Sequence, residues 1–395
     1  MQVVEYGSDF SGVGAFDYAI NRVHNKTRNV FACDMDKFAR QSYLANHKDP
    51  EYYPENVYER EIPAKPLDIY MTSPPCQSFS LAGKRKGKDD DRGVLFFNSH
   101  EFIKENKPRF FIFENVKGLL SDDNGRTFQE WVNYLGGKSV NGQPCIFPHD
   151  EAVPYHIYYK VLNSKKHGVP QNRERIFIVG IRDDNDNVFS WPKEEYLEKR
   201  LKDVLESEVD DKYFLSDKMV EGLISKDGKS GFINQNTQES KVFSDDGTSP
   251  TIAAGTHGYA NGYVSTEIIQ LNNPKHSNDR VYMDNGLSPT LNTMQGGNRQ
   301  PFVCIAVLTP DRPNKRQNGR RFKNDGEPSF TLSTQDKHGI YDGYKIRKLT
   351  PRECFRLQDF PDSFEFVCSD SQLYKQAGNS ITVRVLELII KKLKL

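Results

Sequence analysis

What this sequence lacks narrows it before any motif is read. Its 395 residues hold only six cysteines, Cys33, Cys76, Cys145, Cys304, Cys354 and Cys368, and no two form a Cys-x-x-Cys pair. A secreted disulfide framework is therefore excluded, and no Cys/His spacing offers a zinc site. No run approaches the ~18 apolar residues of a membrane span. The stretch Met1–Tyr6 lacks the charged and apolar regions of a signal peptide. The expectation is a cytoplasmic chain with no membrane contact and no metal. Net charge is absent too, since 54 basic residues balance 54 acidic ones. That excludes a uniformly basic nucleic-acid coat but not a local basic face.

Core material is not lacking. The chain has 25 Phe and 19 Tyr, enough to exclude wholesale disorder. At about 150 residues per domain, the length admits two or three domains.

Residues 1–182 alternate strand-like and helix-like runs. Strands are predicted at Val3–Ser8, Asn29–Ala32, Leu67–Thr72, Phe110–Phe113, Tyr155–Leu162 and Arg175–Ile181. Helices are predicted at Ala15–Val23, Asp36–Asn46 and Val94–Glu105. This alternation reads as a doubly wound α/β sheet. From Tyr344 the α/β character returns, ending in an apolar-basic helix over Ile381–Leu393.

The middle is different. Asp183–Asp217 has 12 acidic and 5 basic residues. A degenerate repeat follows, Gly247-Thr248-Ser249-Pro250-Thr251-Ile252, then Gly286-Leu287-Ser288-Pro289-Thr290-Leu291, with a looser third copy from Gly326. It predicts a repeated turn-plus-strand unit, hence a mostly β domain over 183–343 inserted between 1–182 and 344–395. Leu271–Asp325 has nine basic and four acidic residues. Its strip Arg312, Lys315, Arg316, Arg320, Arg321 and Lys323 suits phosphates, or is a solvated loop. The polar loop 292–300 suits base edges.

Four motifs carry chemistry. Phe10-Ser11-Gly12-Val13-Gly14 follows the first strand and opens the first helix, where glycine lets a backbone approach a ligand. The third glycine of a dinucleotide fingerprint is replaced by Asp17. Asp34, after the second strand, either accepts from ribose hydroxyls or caps the next helix. Together these favour an adenosine-type cofactor without a pyrophosphate grip. Pro74-Pro75-Cys76-Gln77 sets Cys76 at a strand's C-terminal edge, and the basic loop from Gly83 to Lys88 would favour its thiolate. A buried structural cysteine is the alternative. Phe110–Phe113 delivers Glu114 to the end of a buried strand, where desolvation favours the neutral acid; a helix-capping carboxylate is the competing reading. Gln171, Arg173 and Arg175 alternate on one face, as donors to a carbonyl, carboxylate or phosphate, or as a surface strip.

In this order, Phe10-x-Gly12-x-Gly14, Pro75-Cys76-Gln77, Glu114-Asn115-Val116, Gln171-x-Arg173-x-Arg175 and Gly378-Asn379-Ser380 resemble the cytosine-5 DNA methyltransferases. Arg347-Lys348-Leu349-Thr350-Pro351-Arg352-Glu353-Cys354 adds to the likeness, which spans 1–182 and 344–395. The resemblance implies a Rossmann-like methyltransferase sheet that uses S-adenosyl-L-methionine. Residues 183–343 would form the target-recognition domain. A cytosine flipped out of double-stranded DNA would be attacked by Cys76 and held by Glu114, Arg175 and Arg173. Phe10, Gly12, Gly14, Asp34, Met35, Pro75, Leu95, Asn379, Ser380 and Ile381 would line the cofactor site. A bacterial or phage restriction–modification setting is implied, with a monomeric enzyme and a cognate restriction endonuclease.

Two departures stand out. Asp34 occupies a position where the family usually has Glu, and the family's Gly-Asp-Ile segment is not recognisable between Asn46 and Leu67. An RNA-directed enzyme of the same fold is the nearest rival, and the long middle domain favours duplex DNA over it. A catalytically silent DNA-binding relative would not need Cys76, Glu114 and Arg175 intact. A thiol hydrolase would need a His beside Cys76, and the sequence places none there.

Overall fold

Short, nearly continuous apolar runs become the central strands of this fold. The computed structural model describes residues 3–47, 50–75, 94–185, 187–199, 201–213, 281–282, 302–305 and 345–395. The chain divides into two compact units. One comprises Met1–Val169, Arg173–Tyr196 and Gln358–Leu395; the other comprises Pro170–Asn172 and Leu197–Leu357.

The first unit begins β1 (Val4–Asp9), α1 (Ala15–Val23), β2 (Thr27–Cys33), α2 (Lys37–Asn46), β3 (Ile69–Thr72), α3 (Val94–Asn106) and β4 (Phe110–Val116). It continues with α4 (Arg126–Leu135), β5 (Ser139–Val140), β6 (Gln143–Pro144), β7 (Tyr155–Asn163) and β8 (Glu174–Arg182). After the second unit it resumes with α5 (Asp370–Asn379) and α6 (Val383–Ile390). The eight strands lie in the order β2-β1-β3-β4-β8-β7-β5-β6. β1 to β4 pair in parallel, whereas β8 is antiparallel to both β4 and β7. The doubly wound α/β reading holds for the parallel half.

Parallel central strands are buried on both faces, which is why Ile69–Thr72 and Phe110–Phe113 are unbroken buried runs. Aromatic rings fill the core, with Tyr70 stacked on Phe102 at 4.1 Å and Phe96 on Trp131 at 4.4 Å. Each such ring contributes about 1.5–3 kcal/mol through its burial. Helix α4 was not anticipated, although Phe128, Trp131, Val132 and Leu135 recur at helical spacing on its buried side. Strand β4 runs three residues beyond Phe113 because Glu114, Asn115 and Val116 pair with Phe177, Ile176 and Arg175.

The C-terminal helix starts later than predicted. Ile381 and Thr382 stay outside it, Thr382 takes the N-cap position, and the Val383 amide donates to Gln358 O at 2.9 Å. Arg22 of α1 donates to Asp359 O at 2.7 Å, which fastens the returning chain to the first helix.

In the second unit, Phe302–Ile305 pairs in parallel with Val281–Tyr282 and antiparallel with Lys345–Lys348. Helix Pro351–Arg356 opens with a capping box, in which Thr350 Oγ1 accepts from the Glu353 amide and Glu353 Oε2 accepts from the Thr350 amide. Gln171 Nε2 donates to Leu357 O at 3.0 Å. The Cys76 turn, the basic loop after it, the Ser-Pro-Thr repeats, the polar loop 292–300 and the basic strip 312–323 lie outside the described residues. Among the described residues no helix is long and apolar enough to cross a membrane.

Candidate active site

Because β1 to β4 are parallel, their C-terminal ends share one sheet edge. Asp9 lies opposite Cys33 and Thr72, and Thr72 opposite Phe113. The antiparallel β8 brings Arg175 to the same edge, opposite Val116. Phe10, Asp34, Pro75, Glu114 and Arg175 are therefore neighbours by topology.

The loop after β1 is tightly wound. Phe10 (φ 56°), Gly12 (φ 56°) and Gly14 (φ 84°) are all left-handed. Its amides are engaged internally: Ser11 N donates to Cys33 O at 3.0 Å, Gly14 N to Ser11 O at 3.0 Å, and Gly12 N to Asp34 Oδ2 at 2.8 Å. No row of free amides faces a pyrophosphate. A Cβ on Gly14 would stand 2.0 Å from His47 Nε2, whereas one on Gly12 would meet nothing within 4 Å. The space beside Gly12 is thus open. Asp17, where a third glycine would stand, accepts at Oδ1 from Tyr6 Oη, Tyr43 Oη and Asn29 Nδ2 at 2.7–2.8 Å.

Asp34 is not the helix cap. Asp36 caps α2, accepting from the Phe38 and Ala39 amides. Asp34 accepts from Gly12 N and, at Oδ1, from Asp36 N at 2.8 Å. Each of its oxygens keeps a second acceptor site for a ribose hydroxyl. Burial pushes this carboxyl up, and the two backbone donors oppose the shift. Met35 is 85% exposed beside it. Pro75 and Asn379 are exposed, Leu95 is half-buried against the core, and Ser380 and Ile381 are buried. Open space at Gly12, engaged loop amides and an exposed apolar Met35 fit a sulfonium nucleoside without phosphates.

Glu114 is buried at the end of β4, with Oε1 3.2 Å from Arg175 Nε. Burial pushes its carboxyl above the ordinary range, against the pull of Arg175 and Arg173. Asn115 donates from Nδ2 to Pro74 O at 3.0 Å. It ties the chain after β3, at Pro74, to β4. The sequence named Asn115 as part of a motif but gave no sign of its partner.

Arg173 turns elsewhere. It is 2% exposed, and Nη2 donates to Gly378 O at 3.0 Å and to Ser380 O at 2.7 Å. Burial and the Arg175 charge push its guanidinium far down, and Glu114 opposes them. Ser164 Oγ and Thr382 Oγ1, 2.8 Å apart, support the same join. Arg173 thus fastens the C-terminal Gly-Asn-Ser turn to the start of β8. Arg175 makes the 3.2 Å ion pair with Glu114. Gln171 and Arg173 precede the strand, so the three side chains do not form one row on it.

The family described as C-5 cytosine-specific DNA methylase matches residues 6–395. "Orphan methyltransferase M.SPRI" of Bacillus phage SPR is 37% identical over 444 residues, covering 97% of this chain and 96% of its own. "Type II methyltransferase M.SsoII" of Shigella sonnei is 32% identical over 388 residues, covering 97% of this chain and 78% of its own. Among solved structures, S. pombe Dnmt2 methyltransferase superposes with a TM-score of 0.60 at 17% identity, covering 98% and 97% of the two chains. A DNA modification methyltransferase from an E. coli prophage gives 0.56 at 20% identity, covering 98% of each. These structural likenesses speak for the fold.

Proposed function

The chain belongs to the C-5 cytosine-specific DNA methylase family and is a DNA methyltransferase, and from that membership we propose that Cys76, Glu114 and Arg175 transfer a methyl group to carbon 5 of a flipped-out cytosine. The observation that carries the residue assignment is the buried Glu114–Arg175 pair at 3.2 Å, beside a Pro74 carbonyl held by Asn115.

A stacked cytosine cannot be attacked, so the base leaves the duplex first. The Cys76 thiolate forms a bond to ring carbon 6. Glu114 donates its proton to ring nitrogen 3, which takes up the electron pair displaced from the ring. Arg175 holds Glu114 in place and offers N–H donors to the base carbonyl. S-adenosyl-L-methionine, when bound, supplies the methyl group. Carbon 5 bonds the methyl as the sulfur–methyl bond breaks, then loses its proton to water; the Cys76–carbon bond breaks to restore the thiolate, and nitrogen 3 returns its proton to Glu114. Phe10, Gly12, Gly14, Asp34, Met35, Pro75, Leu95, Asn379, Ser380 and Ile381 line the cofactor cradle in this reading. Arg173 acts at one remove, by placing Ser380.

Residues 183–343 are assigned to target recognition on double-stranded DNA, and 1–182 with 344–395 to catalysis. The enzyme works as a monomer in the cytoplasm, with a restriction endonuclease of the same specificity as its partner. The test is methyl transfer from labelled S-adenosyl-L-methionine to mixed-sequence duplex DNA and, in parallel, to total tRNA. Label is expected in DNA only, and none with Cys76→Ser. Incorporation into tRNA alone would overturn the substrate reading. Incorporation into DNA that persists in the Cys76→Ser variant would overturn the covalent step.

A further inference from the structure

Segment 50–62 carries no motif legible in the sequence, yet it forms a wall beside the first loop. Its chain runs along β2, with Ala32 N donating to Tyr52 O at 3.1 Å and Glu51 N to Asn29 O at 3.2 Å. Tyr53 Oη lies 3.5 Å from Ser11 Oγ. Arg40 of α2 holds the early part of the wall, donating to Tyr53 O at 2.9 Å and to Pro54 O at 2.8 Å.

The far end is held differently. Arg60 enters the core, its side chain 3% exposed, and Nε forms an ion pair with Asp9 Oδ1 at 2.9 Å. Asp9 is fully buried at the last position of β1, immediately before the left-handed Phe10. Tyr70 Oη donates to Asp9 Oδ2 at 2.6 Å. The Arg60 guanidinium lies 4.6 Å from the Phe102 ring and 5.7 Å from the Phe31 ring. Arg60 Nη1 has no hydrogen-bond partner among the described residues. Its charge is thus balanced by Asp9 and the ring faces. A carboxylate and a guanidinium in an aromatic core are not needed for packing, since apolar side chains of similar size would fill that space at equal or lower cost. What the pair adds is a fixed direction between segment 50–62 and the origin of the loop.

We propose that Arg60 is a positioning residue of the cofactor cradle, acting through Asp9 to hold the wall 50–62 in register with the loop Phe10–Gly14. The inference rests on the reading that this loop receives S-adenosyl-L-methionine. Arg60 touches no substrate. It fixes the angle at which the chain leaves β1 and the place of the wall that faces it.

The test uses the full chain and calorimetric titration with S-adenosyl-L-methionine, alongside steady-state kinetics. Arg60→Met keeps the apolar stem and leaves the Asp9 carboxylate buried without its cation. It is expected to raise the cofactor Kd and KM about tenfold or more, the loss that follows when a pre-organised cradle is loosened. The KM for DNA should stay within about twofold, because the cradle alone is disturbed. The double variant Asp9→Leu/Arg60→Met relieves the unpaired carboxylate but also removes the fixed direction, so its urea midpoint should recover while its Kd stays raised about tenfold. Wild-type affinity in Arg60→Met, or a double variant that binds as tightly as wild type, would overturn the proposal. If Arg60→Met does not fold, Arg60→Lys keeps the charge but loses the planar group over Phe102. An unchanged Kd in Arg60→Lys together with wild-type affinity in the double variant would overturn it equally. A wild-type chain that binds no S-adenosyl-L-methionine would instead bring down the cofactor reading itself.

Discussion

Gly12 and Gly14 are two residues apart and both left-handed, yet replacing each by alanine should do opposite things. Gly12→Ala places a Cβ in open space at φ 56°. The folded state pays only the left-handed penalty, about 1–2 kcal/mol. On the proposed cofactor placement that methyl group would intrude on the bound molecule, so the cofactor Kd should rise about 100-fold. Gly14→Ala meets a different obstacle, the His47 imidazole 2.0 Å away. His47 must leave, and with it go the Nε2–H hydrogen bond to Val13 O at 3.0 Å and the ring contacts with Tyr18 and Tyr43, each at 4.7 Å. One hydrogen bond is worth about 1 kcal/mol and each ring pair about 0.5–1.5 kcal/mol. With the same left-handed penalty the total is about 3–6 kcal/mol.

Urea denaturation followed by tryptophan fluorescence reads this difference cleanly. The chain has two Trp, and both Trp131 and Trp191 lie in the first unit. A gap of about 2–4 kcal/mol between the variants moves the midpoint by about 1–2 M at an m-value near 2 kcal/mol per molar. Equal midpoints for the two variants, or wild-type cofactor affinity in Gly12→Ala, would refute the reasoning.

Two further outcomes follow from the site. Glu114→Gln keeps the shape and removes the acid, so the single-turnover methyl-transfer rate should fall about 100-fold or more, with cofactor affinity within about twofold. Burial holds the Glu114 carboxyl above its ordinary range, so the wild-type rate should fall as pH rises through that raised value; the same falling limb in Glu114→Gln would assign it to another group. Asp36→Ala should cost about 1 kcal/mol through the lost cap of α2, with the lost Lys375 Nζ contact at 2.6 Å in addition. Burial pushes the Asp36 carboxyl up, but Lys375 and the Ala39 and Phe38 amides outweigh it and leave it lowered. Its stabilisation is therefore present above the ordinary value of about 3.9 and lost as pH falls through the lowered one. Urea midpoints at neutral and strongly acidic pH check this, and a difference that persists at the acidic pH would contradict it.

Much of the parallel sheet was legible because its signals are local. Helix α1 falls on the predicted residues, Ala15–Val23, and β3 and β4 were visible as apolar runs ending at Pro74 and Glu114. Glu114 and Arg175 could each be named from a motif, because a chemical group must appear in the sequence to act. Partners are another matter. Nothing local says that Asn115 reaches Pro74, 41 residues away, or that Arg173 reaches Ser380, 207 residues away. Arg173 and Arg175 look equivalent as alternate residues, but β8 begins between them at Glu174, and they face different neighbours.

The sequence alone determined the order of the parallel strands' apolar runs, the left-handed turn at Gly12 and Gly14, and the chemical groups on offer. These depend on side-chain period, on the missing Cβ of glycine and on residue type, which are properties of a few consecutive residues. Tertiary structure alone decided that Asp34 braces the loop rather than capping α2, that Asp17 gathers three donors, and that Arg60 answers Asp9 in the core. Those pairings exist only after distant segments meet at one sheet edge. Burial then makes each unpaired polar group costly enough that a partner has to be found.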